Sequence, residues 1–462
     1  MRKSILALFL SLSLLAVSSA FISPLPTVTD NEIDLNFPEA ATFRATLTDE
    51  VDITSVVLEY GNEQQTCGQV IAKAFPQFTQ GKTVQADWTW EMRQSGSLPP
   101  GAQLWWRWRV TDASGNETVT EKKTATWLDD THHWQSLNKG DTQSVRLHWY
   151  EGNQTFAAEL ANAAASGLQF NKTQSGLKAD APIDIYVYGS TDDLKEAILY
   201  EPSWTGGQAF PEQDIVIIGI APTDLEWGRD AIVHELTHVL VGHLTFSCLG
   251  DVPTWLNEGL AVYSEGELDA ASRQQLDAAI KEDSLLTIRS LSSGFSEVSD
   301  KAYLSYSESY SITEFMVETY GQEKMTALLT GLRDGLTIDE ALRQVYGFGV
   351  DGLEEAWRGA IGAPSRPVSP ESTAQPTPTF VPTIIPFSGA AMSVQSTASA
   401  VPTSSFTTPT AGTPVQSGPP LSLTLILLAL CCFFLLVIGM FVLGFILRRQ
   451  TMKDMKEQKN GQ

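Results

Sequence analysis

The stretch His234-Glu235-Leu236-Thr237-His238, followed by Trp255-Leu256-Asn257-Glu258-Gly259, decides how this chain reads. Histidines four apart on a helix project from one face. Two imidazoles on one face can grip a single Zn²⁺ at about 2.0–2.1 Å each. Ile232, Leu236, Val239 and Leu240 supply the apolar stripe that buries the other side of that helix. Glu235, beside the first histidine, is placed to take a proton from water at the metal. Pro253 and Thr254 open a second helix that can present Glu258 as third ligand. One coordination position then stays open, which separates a catalytic zinc from a structural one. Two hydrogen-bonded core histidines are the plain alternative, and the glutamate run on a second helix weighs against it. His243 competes for the third place, but on a continuing helix it sits about 140° around from His238 and faces away.

The run Trp255-Leu256-Asn257-Glu258-Gly259-Leu260-Ala261 resembles the gluzincin zinc metallopeptidases, most closely their bacterial peptidase MA-like domains, which are related to the zinc aminopeptidases. The spacing from His238 to Glu258 is one residue longer than the aminopeptidases usually have. The resemblance spans roughly 134–362. It implies that His234, His238 and Glu258 bind one zinc and that Glu235 is general base and acid. It gives Glu265, two helical turns after Glu258, the task of orienting a ligand histidine. A tyrosine ahead of the helix ending at Tyr320-Gly321 is implied as donor to the oxyanion of the tetrahedral intermediate. Tyr306 takes that position, with Tyr303 and Tyr310 close enough to compete. The aminopeptidases carry a Met-Glu-Asn strand that binds the substrate amine. Nothing after Gly206-Gly207-Gln208-Ala209 matches it, so the expectation is a peptidase acting on peptide or protein substrates, endopeptidase rather than aminopeptidase.

Around this centre the chain is expected to be multidomain. Residues 1–20, with Met1-Arg2-Lys3, an apolar run and Ser18-Ser19-Ala20, read as a signal peptide. Residues 21–130 read as an all-β sandwich of immunoglobulin or fibronectin type, with strands at 42–47, 53–60, 84–90, 104–110 and 117–127. In the fourth of these Leu104, Trp106, Trp108 and Val110 share one face, so the tryptophans read as core. Residues 131–362 read as the α+β catalytic domain, with strands at 183–188 and 215–219 and a mainly helical C-terminal half. Residues 363–420, rich in Pro, Ser, Thr and Ala, read as a disordered stalk. The uncharged run 421–447 reads as a single transmembrane helix. The cations of 448–462 make that tail cytoplasmic and the larger part extracellular.

The formal charge is −24, from 54 acidic and 30 basic residues, with no basic stripe outside the tail, so nucleic acid is not expected as a partner. The membrane, through one C-terminal helix, and a cell-surface partner for the sandwich are. Cys67 and Cys248, in different predicted domains, do not form a disulfide framework on sequence grounds, and a bridge between them needs the two domains to dock closely. Asn116, Asn153 and Asn171 head glycosylation sequons. The alternative to an enzyme is a catalytically inactive cell-surface binding or structural protein that retains the metal-site fold.

Overall fold

Strand Ile183–Tyr188 runs Ile-Asp-Ile-Tyr-Val-Tyr, and its two faces are buried in different cores. Ile183, Ile185 and Val187 pack with helices, whereas Tyr186 and Tyr188 pack with the N-terminal sheet. A strand covered on both sides needs apolar or aromatic residues at every other position on each face, and this one has them on both. The computed structural model describes residues 25–366, apart from 69–70, 96–97, 141–143, 200–205 and 297. The predicted signal peptide, transmembrane helix and cytoplasmic tail, and the stalk beyond residue 366, lie outside the described residues. Among the described residues no helix is long and apolar enough to cross a membrane.

The N-terminal part is β-rich, as expected, but its strands form one seven-stranded antiparallel sheet. They are β1 (Thr27–Asn36), β2 (Ala40–Asn62), β3 (Ala72–Ala74), β4 (Gly81–Glu91), β5 (Gln103–Asp112), β6 (Glu117–Val119) and β7 (Lys123–Thr126). The immunoglobulin or fibronectin sandwich, with two separate sheets, is corrected at this point. Strands expected at 42–47 and 53–60 are the two halves of the 23-residue β2. Its first half pairs with β1 and β4, its second half with β3 and β5. Register shifts between Thr48 and Ser55 let the strand change partners without ending. The core positions change parity there, from Ala41, Phe43, Ala45, Leu47 and Ile53 to Val56 and Leu58. An added residue flips the faces of a strand, and a bulge bends it. Trp106 and Trp108 are core, and both indole N–H groups donate to Asn31 Oδ1, at 2.7 and 3.1 Å.

The second sheet has five strands: β8 (Gln135–Lys139), β9 (Val145–Trp149), β10 (Ile183–Tyr188), β11 (Gly207–Phe210) and β12 (Ile215–Gly219). Their order is β11-β12-β10-β9-β8, with β9, β10 and β12 parallel and both edges antiparallel. The strands β8 and β9 precede the start of the helical region and were not expected. Helices α1 (Gln154–Gln174), α2 (Thr191–Ala197), α3 (Leu225–Thr245), α4 (Thr254–Glu265), α5 (Ala270–Lys281), α6 (Ser299–Tyr320), α7 (Gln322–Arg333), α8 (Ile338–Tyr346) and α9 (Val350–Ala360) follow. The sequence reads as a helix from Ser309, but α6 begins ten residues earlier, so Tyr306 lies on this helix and not ahead of it. Its serines stay helical because Ser305 and Ser307 donate to the carbonyls of Lys301 and Tyr303, one turn back.

The two parts are not independent. One apolar core joins Phe43, Trp106 and Trp127 of the first to Tyr186, Leu194 and Ile217 of the second. The loop after β2 reaches the second part, where Gln65 N donates to Glu212 O at 3.0 Å. Cys67 in that loop is bonded to Cys248, with Cα atoms 5.5 Å apart. This corrects the expectation of unpaired cysteines: docking brings the two loops within the span a disulfide needs. The sequons are also revised. Asn153 caps α1 by accepting from Phe156 N, and Asn171 is fully buried.

Candidate metal centre

Helices α3 and α4 lie side by side, and each turns a short polar patch toward the other. On α3, Ile232, Leu236, Val239 and Leu240 are fully buried, which leaves His234 and His238 on the opposite, cleft-facing side. On α4, Trp255, Leu256 and Leu260 are buried, so Glu258 faces α3. His234 Nε2 and His238 Nε2 lie 3.4 and 3.5 Å from the same atom, Glu258 Oε2. The two imidazole rings are 4.8 Å apart and nearly perpendicular. Among the described residues these three side chains form the one group able to hold a metal ion. Ligands about 2.0–2.1 Å from a tetrahedral ion are about 3.4 Å from one another, so the spacing fits zinc.

The other ring nitrogens are also engaged. His234 Nδ1 pairs with Glu265 Oε1 at 2.6 Å, and His238 Nδ1 with Asn257 Oδ1 at 3.1 Å. A donor bond from Nδ1 fixes each ring and directs the Nε2 lone pair at the shared point. Asn257 was missed by sequence reasoning. Its signal was its place in the Trp-Leu-Asn-Glu-Gly run, immediately before Glu258. Burial works against charge on both histidines, but the carboxylates of Glu258, Glu265 and Glu235 outweigh it and raise them. Burial likewise disfavours charge on Glu258, and the two histidines override it and hold the carboxyl well below the usual range. The three groups thus bias one another around one point, and both imidazoles would hold a metal in their neutral form.

Glu235 lies beside this point without being part of the group. Burial raises its carboxyl, with the histidines pulling the other way. Strand β11 passes so close that a Cβ on Gly207 would stand 2.9 Å from Glu235 Cγ and Oε1, so a larger residue there would push the Glu235 side chain aside. Tyr306 lines the same cleft, its ring 6.3 Å from His234 and edge-on to Phe295. Burial, then Glu258 and Glu235, keep its phenol protonated at any ordinary pH. Tyr303 is at the rim and 61 % exposed, while Tyr310 is buried and donates to Glu314 at 2.6 Å. His243 turns away from the group and bonds Asp214 at 2.6 Å.

The cleft holds about 1480 Å³ and runs between β11, α3, α4 and the start of α6. Ten of its described lining residues are Asp or Glu, and none is Lys or Arg.

Residues 163–363 match the sequence model of the Peptidase MA superfamily. No curated protein matches the chain. Among solved structures, an M1 zinc metallopeptidase from Deinococcus radiodurans is 12 % identical, with 73 % of this chain and 92 % of that one covered and a TM-score of 0.35. Aminopeptidase A from Legionella pneumophila is 11 % identical, with 72 % of this chain and 51 % of that one covered and a TM-score of 0.33.

Proposed function

We propose, on the premise that residues 163–363 belong to the Peptidase MA superfamily, that the chain is a zinc-dependent peptidase with Glu235 as its general base. The observation that carries this is the meeting of His234 Nε2 and His238 Nε2 on Glu258 Oε2, at 3.4 and 3.5 Å, with Glu235 alongside. Zinc held by His234, His238 and Glu258 supplies a Lewis acid for the scissile carbonyl and makes water a better nucleophile. Glu235, raised by burial, accepts the proton from that water and passes it to the leaving amine. The Tyr306 phenol donates to the oxygen on which negative charge grows. Glu265 and Asn257 keep the two imidazoles aimed. Among the described strands β11 is a sheet edge, and its side away from β12 offers main-chain groups to an extended peptide. The acidic lining selects peptides with basic residues near the scissile bond, by attraction across a partly desolvated cleft.

Endopeptidase action remains our reading, because no carboxylate on β11 is available to hold a substrate amine. We also assign the chain to the outer face of a membrane, anchored by 421–447. The sequence patterns at 1–20 and 421–447 support this, as does a disulfide that persists in oxidising compartments.

The test is metal analysis of the purified protein together with chelator-reversible cleavage of a peptide library. Glu235→Gln is expected to keep the metal and lose at least about 10²-fold in turnover. Cleavage by the metal-loaded variant at the parent rate rules out Glu235 as base.

A further inference from the structure

We propose that Asn171 is a positioning residue that locks the two ligand-bearing helices in register from behind the metal centre. The inference rests on the metal-site reading above and concerns residues that reading does not use. Asn171 is on α1, which crosses the back of both α3 and α4. It is fully buried, as is Thr237 on α3, while Ser264 on α4 is 7 % exposed.

The donor hydrogens of these groups are all directed at one another and at their own helices. Asn171 Nδ2 has two hydrogens, one for Gly167 O at 3.1 Å and one for Thr237 Oγ1 at 2.9 Å. The Thr237 hydroxyl passes its own hydrogen to Val233 O at 2.8 Å. The single hydroxyl hydrogen of Ser264 is shared between Asn171 Oδ1 at 3.0 Å and Leu260 O at 2.8 Å. One amide therefore grips α3 through its nitrogen and α4 through its oxygen. The grip is close because α1 meets α3 at Gly167, where a Cβ would stand 2.9 Å from both Val233 methyls.

The gripped residues are neighbours of the metal centre in sequence. Thr237 precedes His238, and Ser264 precedes Glu265, which holds His234 at 2.6 Å. A slide of α4 along α3 by one residue, about 1.5 Å, would separate the histidines from both glutamates. Apolar contacts between helices resist separation but are weakly selective for axial position. A buried amide with fixed donors and acceptors is selective, because any slide leaves a polar group unpaired.

The experiment compares zinc affinity, by competition with a chromophoric chelator, with the thermal midpoint of the metal-free protein. Full-length wild type, Asn171→Ala and the milder Ser264→Ala are used. Asn171→Ala is expected to weaken zinc binding about 10- to 100-fold, the range for groups that orient metal ligands. Ser264→Ala should weaken it severalfold with the metal-free midpoint moved by no more than about 2 °C. Zinc affinity within twofold of wild type in both variants overturns the proposal. So does an affinity loss that appears only where the metal-free midpoint has collapsed. If wild type itself takes up no zinc, the metal-centre reading falls. The clamp is then judged by amide exchange along α3 and α4 in the metal-free protein, where rates unchanged by Asn171→Ala overturn it.

Discussion

Replacing both Cys67 and Cys248 with serine tests the least anticipated contact in the molecule. The bridge closes a loop with a sequence separation of 181 residues. In the chain-entropy account, removing the restraint on so long a loop stabilises the unfolded state by about 5 kcal/mol at 25 °C. Native contacts between the same two loops do not change that figure, because it belongs to the unfolded chain. Residual structure in that chain lowers it, so a loss of about 3–5 kcal/mol is expected. In urea this should bring the unfolding midpoint down by about 1 M or more. The assay is equilibrium unfolding of oxidised wild type and the double variant, followed by intrinsic tryptophan fluorescence. Thiol titration of wild type without reductant runs in parallel. Cys431 and Cys432 account for two of the four cysteines, so four free thiols in the native protein, or a midpoint within about 0.2 M of wild type, would refute the reasoning. The bridge also holds the loop between α3 and α4, so the double variant should bind zinc more weakly. Both cysteines are exposed, which makes the same state reachable by reductant.

Tyr306→Phe is expected to lower kcat by about 10²-fold with little change in KM, while Tyr303→Phe and Tyr310→Phe stay near wild type; steady-state kinetics on one cleaved peptide separates them. Glu265→Gln should weaken zinc binding about 10-fold without unfolding the protein, because His234 keeps its place on α3 but loses its orienting carboxylate; chelator competition measures it. Glu308 is fully buried and accepts from Leu286 N, and burial pushes its carboxyl up to about 8. The folded state therefore binds a proton there that the unfolded state has released, so this group's contribution falls as pH rises from about 4.5 to 8, by up to about 1.4 kcal/mol per pH unit. Glu308→Gln should flatten that slope in urea unfolding measured between pH 5 and 9.

The candidate centre was legible because its chemistry is local. His234, Glu235 and His238 lie within five residues on one helix, and periodicity alone places the histidines on one face. Glu258 was legible through the run that contains it. Glu265 followed from helical spacing, and Asn257 could have followed from its adjacency. The fold was legible where burial is one-sided, as in β5 and α3. It was less so at β8, whose Gln135–Lys139 is a polar edge with little alternation. At β2, Asp49 and Asp52 looked like turn residues inside what is a continuous strand. Helix α6 was shortened in prediction because serine usually signals a break, and here its hydroxyls return to the helix.

Sequence by itself determined the identity and rotational phase of the groups that meet at the centre, since both depend on covalent order and helical pitch. It also determined the acidity of the chain and the β-then-helical order of its parts. Only the tertiary structure decided that the N-terminal sheet packs on the catalytic sheet as one core, that Cys67 meets Cys248, and that Asn171 ties α3 to α4. Those contacts join residues far apart along the chain. Their distances depend on how whole layers pack, and no local pattern of side chains encodes that.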